Sequence, residues 1–168
     1  ADVQDIYRVI KNYGEEPKAK KITNKIIFFR QKKKITTTVD LVEIIKLAIG
    51  HTNKTNKVLS RVFQSFRIFI NNELDELKIF LNKIINYLDV NGVIVVISFH
   101  SLEDRIVKRF FNSITSDTIS KQIPLTTSEL NHIKFINLSK PIKPTFEEVK
   151  NNPRARSAIM RAAKRTNL

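Results

Sequence analysis

NGVIVVISFHSLEDR, residues 91–105, is the stretch whose reading decides the fold. Asn91-Gly92 is a turn signal. Val93–Ile97 is a continuous β-branched run, the pattern of a strand buried on both faces and hence of a parallel sheet flanked by helices. Polar side chains follow at once: Ser98, His100, Ser101, Glu103 and Asp104. Ser101 with Asp104 reads as a cap opening a helix whose apolar positions are Ile106, Val107, Phe110 and Phe111. With helices before it, this turn–strand–helix order is that of an α/β layer fold.

Upstream, residues 61–88 form the longest periodic stretch. Val62, Phe63, Phe66 and Ile70 come first; Leu74, Leu77, Leu81, Ile84, Ile85 and Leu88 follow after an offset at Asn71-Asn72, where Asn72 is expected to cap a second helix. Residues 51–57 are polar and read as a loop or junction. Three helices are expected before it. The first carries Val3, Ile6, Tyr7 and Ile10, with Asp2 as N-cap and Gly14 as stop. The second runs over Lys18–Arg30 and ends on Lys32-Lys33-Lys34, favourable at the negative pole of the helix dipole. The third is capped within Thr36-Thr37-Thr38 and stopped by Gly50. Downstream, residues 112–131 read as a surface loop and Ile133–Leu138 as a short strand. Thr145-Phe146-Glu147-Glu148 spells a capping box for a brief helix. Residues 158–165 are open between strand and helix.

Composition narrows the chemistry. The 168 residues include no Cys and three isolated Gly (Gly14, Gly50, Gly92). A disulfide scaffold, a thiolate zinc site, a G-x-G-x-x-G loop and a Walker loop are all excluded within this chain. The three His, at 51, 100 and 132, form no local cluster, and no metal is expected. No apolar run approaches the roughly 20 residues of a membrane span. The first residues lack a signal-peptide layout, so the expected location is cytoplasmic, with no membrane partner. The formal charge of +14 points to a polyanionic partner. Twenty Lys, 24 Ile and 15 Asn also fit an AT-rich coding sequence, which inflates all three without selection for binding. Distribution is more telling: residues 1–59 carry 13 basic and 6 acidic side chains, residues 60–111 carry 7 and 6, and residues 112–168 carry 10 and 4. The basic excess lies at the two ends, as a solvated lysine face or a polyanion-binding surface.

Ser98, His100, Ser101, Glu103 and Asp104 stand just past the carboxyl end of the expected strand, the ligand-facing rim of an open α/β sheet. His100 is suited to orient a substrate or exchange a proton near neutral pH. The same residues also suit a capping turn that only satisfies backbone N–H groups, and helix electrostatics alone explain the acids Glu103 and Asp104. Arg154 and Arg156, in Asn152-Pro153-Arg154-Ala155-Arg156-Ser157, offer two guanidinium forks on one side if extended, for phosphate or for carboxylates. Arg61 and Arg67 serve either as binding groups or to pin their helix to the sheet.

Three segments taken together carry a resemblance. Arg61-Val62-Phe63-Gln64-Ser65-Phe66-Arg67-Ile68 with Asn72-Glu73-Leu74 is similar to a motif written R-x-F-Q-A-x-R-I-x-x-N-x-E-L. Val95 to Lys108 matches a second motif almost letter for letter, and Asn152–Ser157 resembles a third. Tyr13-Gly14-Glu15-Glu16 and Ile35-Thr36-Thr37-Thr38 fit as well. In this order they resemble the ribosomal small subunit methyltransferase H family, also called MraW, over essentially the whole chain. The resemblance implies an S-adenosyl-L-methionine-dependent enzyme that methylates the exocyclic N4 of a cytidine in the decoding region of 16S rRNA, in the small ribosomal subunit. It implies an α/β fold, the C-terminal part of a Rossmann-like class I methyltransferase sheet with an inserted helical domain. Residues 1–56 are then the helical insertion and 57–168 the C-terminal part of the methyltransferase domain. It also favours a final strand over 153–165, with Ile133–Leu138 as its antiparallel neighbour.

For a complete enzyme of this kind, the same residues are the expected site. His100, Ser98 and Ser101 are the catalytic candidates. Glu103, Asp104, Arg105, Arg154 and Arg156 are the substrate-binding candidates. Two departures stand out. Lys57-Val58-Leu59-Ser60-Arg61 replaces the family's His-Pro-Ala-Thr-Arg, sharing only the Arg. The family's cofactor-binding half, with its glycine-rich loop, ribose acid and Asp-Leu-Gly-Val-Ser-Ser segment, does not occur in these residues. The expectation is therefore a C-terminal fragment, inactive alone and with no cofactor-binding residue of its own. A non-catalytic rRNA-binding or ribosome-assembly module and an inactive relic are the alternatives.

Overall fold

The computed structural model describes residues 1–50, 53–115 and 134–166. It divides into two compact units, Ala1–Glu73 and Leu74–Leu168.

The first unit is helical: α1 (Val3–Asn12), α2 (Ala19–Lys32), α3 (Thr38–Ile49) and α4 (Thr55–Asn71). The local signals are used much as the sequence suggests. Asp2 caps α1 by accepting from Asp5 N at 2.7 Å. Thr37 and Asp40 close a reciprocal capping box on α3, which satisfies two otherwise orphaned N–H groups. The Thr37 hydroxyl, followed by the Thr37 and Thr36 N–H groups, holds the Asp40 carboxyl below its usual range. Gly50 ends α3 at φ +73°, where a side chain would be strained. Apolar faces converge on Ile10, Ile22, Ile45 and Val62, all fully buried. Gly14 sets how closely α1 approaches α4: a Cβ there would lie 2.9 Å from the Arg61 carbonyl oxygen and 2.7 Å from that of Ile10.

Asn72 has a different role from the expected one. It sits at φ 51° as the left-handed C-cap of α4, and the next helix opens at Glu73. Asn tolerates this conformation better than most residues. Helix α4 delivers Val58 and Val62 to the helical core, so the compact unit reaches Glu73.

The second unit holds α5 (Glu73–Ile84), a 3₁₀ turn (Ile85–Tyr87), β1 (Val93–Ser98), α6 (Ser101–Thr115), β2 (Lys134–Asn137), α7 (Phe146–Asn151), a second 3₁₀ turn (Pro153–Ser157) and β3 (Ile159–Thr166). Its sheet has the order β1–β3–β2 and is wholly antiparallel. Val93 pairs with Lys164 and Ser98 with Ile159; Lys134 pairs with Thr166. The expected final strand is present from Ile159, with β2 as its antiparallel neighbour. Ile94, Ala163, Phe135, Val107, Phe110, Phe111, Leu81 and Ile85 form the core between sheet and helices.

Two expectations about β1 are corrected. Its described pairing is antiparallel, not parallel. It is buried on one face rather than both: Ile94 is 5% exposed, while Val93, Val95 and Ile97 are each about half exposed. A β-branched run reports strand propensity, but burial of the second face depends on what covers it. Among the described residues, β1 has a partner on one edge only.

Helix α6 runs to Thr115, so residues 112–115 of the expected 112–131 loop are helical; the other residues of that stretch, and His51 and His132, lie outside the described residues. Among the described residues, no helix is long and apolar enough to cross a membrane.

Candidate functional site

The turn from β1 into α6 gathers five of the eight candidate residues. The strand ends at Ser98 and the helix begins at Ser101, so Phe99 and His100 alone make the connection. The cap is made by His100 and Glu103 rather than by Ser101 and Asp104. Glu103 Oε2 accepts from Phe99 N at 2.8 Å and from His100 N at 3.3 Å. In return, His100 Nδ1 accepts from Glu103 N at 3.4 Å. This is the geometry of a capping box, with an imidazole where a hydroxyl usually stands. Burial alone would raise the Glu103 carboxyl, but the His100 ring and the Phe99 N–H outweigh it and hold it below its usual range.

The box fixes the imidazole. With Nδ1 accepting, a neutral ring carries its proton on Nε2. That atom is buried, 3.1 Å from Glu103 Oε1 but off the line of a hydrogen bond. His100 Nε2 and Thr23 Oγ1 are the only buried side-chain polar atoms without a hydrogen-bond partner among the described residues.

Asp104 is engaged differently. Arg161, on β3, grips it through Nε to Oδ1 at 3.0 Å and Nη2 to Oδ2 at 3.1 Å. Both side chains are largely shielded, at 14% and 19% exposure. Ser98 is buried, and its hydroxyl lies 3.3 Å from both Asp104 Oδ1 and the Ile159 carbonyl oxygen. These contacts fasten the end of β1, the first turn of α6 and β3 together. Bidentate Arg–carboxylate pairs are both strong and directional. Nothing near Asp104 in the sequence points to Arg161, which lies 57 residues away.

The remaining candidates are solvent-facing. Ser101 and Arg105 are exposed at the start of α6. Arg154 and Arg156 are exposed and lie in the 3₁₀ turn, not in an extended segment. At three residues per turn, positions two apart diverge around the axis, so the two forks do not share a side. Asn152 shapes this turn by accepting from Arg154 N. Arg61 and Arg67 do not pin a helix to the sheet. Arg61 reaches the buried Glu16 at 3.3 Å, and Arg67 holds Glu73 at 2.8 and 3.1 Å.

A charged, aromatic face of α2 was not singled out from the sequence. Lys32 Nζ stands 4.3 Å from the centre of the Phe28 ring, and Lys25 Nζ stands 5.5 Å from it. The i, i+4 spacing of Lys25 and Phe29, and of Phe28 and Lys32, was the available signal.

Residues 1–166 match the model of the MraW methylase family. A protein of Coxiella burnetii (strain RSA 493 / Nine Mile phase I) named ribosomal RNA small subunit methyltransferase H is 44% identical over 161 residues, covering 96% of this chain and 52% of that protein. Proteins of the same name from Pseudoalteromonas atlantica and Wigglesworthia glossinidia brevipalpis are 42% and 43% identical, each over 98% of this chain and 54% of their own length. The chain thus spans about half the length of the curated relatives it matches.

Proposed function

The chain belongs to the MraW methylase family, and from that premise we propose that it is part of an S-adenosylmethionine-dependent methyltransferase acting on the N4 of a cytidine in the decoding region of 16S rRNA, in the small ribosomal subunit. In this reading residues 1–56 are the helical insertion and residues 57–168 the C-terminal part of a Rossmann-like sheet. The part of the relatives that the chain does not cover supplies the cofactor site. The observation that carries this reading is the one-sided β1. Its apolar outer face, and an edge without a partner among the described residues, suit a strand with further sheet to be added, beside a turn that resembles the family motif.

The described residues do not fit S-adenosylmethionine as a site of their own. Ser98, Glu103 and Asp104 are taken up by the turn, and no glycine-rich loop is present. What this chain contributes is position. Transfer to an exocyclic amine needs the nitrogen lone pair aimed at the methyl group, and alignment supplies much of the rate. Glu103 and the α6 backbone fix the imidazole at this rim, where His100 is assigned to orienting the base. Ser98 and Asp104 are positioning residues that hold the turn through Arg161. Ser101 and Arg105 form the rim, and Arg154 and Arg156 meet rRNA phosphates.

The test uses small subunits lacking the methyl group, with radiolabelled S-adenosylmethionine. The chain is supplied alone and together with the uncovered half of the Coxiella burnetii relative. Incorporation is expected only from the pair. His100→Ala should lower turnover by about 10²-fold or more while leaving cofactor affinity unchanged. Unaltered turnover would remove His100 from the site. Salt-sensitive subunit binding without methylation in either mixture would favour a non-catalytic rRNA-binding module. That second reading draws on residues 17–39, which carry eight basic and no acidic side chains.

A further inference from the structure

We propose that the exposed face of α2 is a groove for single-stranded RNA, with Phe28 as its stacking platform. The choice of RNA rests on the reading above. Lys21, Lys25, Phe28 and Lys32 follow one another at spacings of four, three and four, so they form one stripe along the helix. Phe28 is 47% exposed. It is not a loose side chain: its ring meets the Phe29 ring edge-on at 5.6 Å, and Phe29 packs against the helical core. Lys25 and Lys32 flank its face, and a cation over an exposed ring is held weakly enough to be given up to a phosphate. Among the described residues none of Lys20, Lys21, Lys25, Lys32 and Lys34 has a carboxylate within salt-bridge distance.

A second, independent feature lies on a neighbouring flank of α2, about a third of a turn round from the stripe. A cleft of about 290 Å³ between α1 and α2 is lined by Gln4, Tyr7, Lys20, Thr23 and Asn24, with Val3 at its edge. None of these is acidic. Thr23 is 1% exposed, and its Oγ1 has no hydrogen-bond partner. An orphaned buried hydroxyl, two amide side chains and a tyrosine ring suit the edge and face of a nucleobase, and Lys20 suits its phosphate. Lys20 and Phe28 are eight residues apart on one helix, about 12 Å along its axis and roughly 80° around it, so a strand of about three nucleotides at about 3.4 Å each would wrap the helix to join cleft and platform. Aromatic platforms within a cationic track are how proteins hold single strands without reading sequence. An acidic peptide would use the lysines but neither the ring face nor the amides.

The chain has no Trp, so Phe28→Trp creates one reporter at the platform. The whole chain is titrated with an unstructured RNA of about 12 nucleotides and, separately, with poly-glutamate. RNA should quench the new fluorescence saturably and poly-glutamate should not. Phe28→Leu should weaken RNA binding about 5- to 100-fold, where Phe28→Trp retains it. Lys25→Gln with Lys32→Gln should lower the slope of log affinity against log salt by about 1.4. Thr23→Val, which removes only the orphaned hydroxyl, should weaken binding about 2- to 10-fold without lowering the melting temperature. Absent quenching, full binding by Phe28→Leu, or equal quenching by poly-glutamate would each overturn the groove. Methylation by the paired halves with no quenching would overturn the groove alone. Quenching without methylation would overturn the enzymatic reading and leave the groove standing.

Discussion

The two units of this chain solve burial in different ways. In the helical unit four helices close around Ile10, Ile22, Ile45 and Val62, and each contributes to the shared core. In the sheet unit one face of β1 packs on α5 and α6 while Val93, Val95 and Ile97 remain exposed on the other. A helix needs one covered stripe, and neighbouring helices supply it. A central strand needs two covered faces and two paired edges, and β1 has one of each among the described residues. The contrast teaches that an apolar run is not by itself a buried one.

The comparison can be broken or sharpened by substitution. Ile22→Ala, at a fully buried helical position, should cost the most, about 2–5 kcal/mol, read as a lower urea midpoint. Asp104→Ala in the sheet unit should come next, at about 2–3 kcal/mol, because it strands Arg161 in a largely shielded place. A cost below about 0.5 kcal/mol would show that the Arg161 grip is not what holds the turn. Smaller still is the pH effect on the same turn. The folded Glu103 carboxyl is depressed, so its contribution is complete above the ordinary carboxylate range. It is lost as pH falls through that depressed value. The Phe99 and His100 amides should lose protection from exchange over that acid window, and Glu103→Gln should abolish the dependence. Val95→Ser, on the outer face of β1, should change stability least, by about 0.5 kcal/mol or less. A loss as large as that of Ile22→Ala would mean that the outer face is covered in solution.

Much of the helical unit was legible in the sequence. Asp2, Thr37 and Gly50 act through their nearest neighbours, so their signals are local. Residues 91–105 likewise disclosed a turn, a strand and a helix, and the polar rim between them. What escaped was set by distant partners. The direction of β1's neighbour depends on residues about sixty to seventy positions away. The Asp104–Arg161 pair spans 57 residues. For the cap of α6 the sequence points to Ser101 with Asp104, because hydroxyls are the usual N-caps, whereas the chain uses His100 with Glu103. Arg154 and Arg156 share a side only if extended, and the turn at Pro153 winds them apart.

The most direct measurement of the contrast is hydrogen–deuterium exchange on the whole chain, before and after adding the uncovered half of the Coxiella burnetii relative. The expected result is that β1 amides facing the unpaired edge exchange rapidly in the chain alone and gain protection on addition, while α2 and α3 are unchanged. Uniform protection of β1 in the chain alone, or no gain on addition, would contradict the view that β1 is an open edge awaiting further sheet.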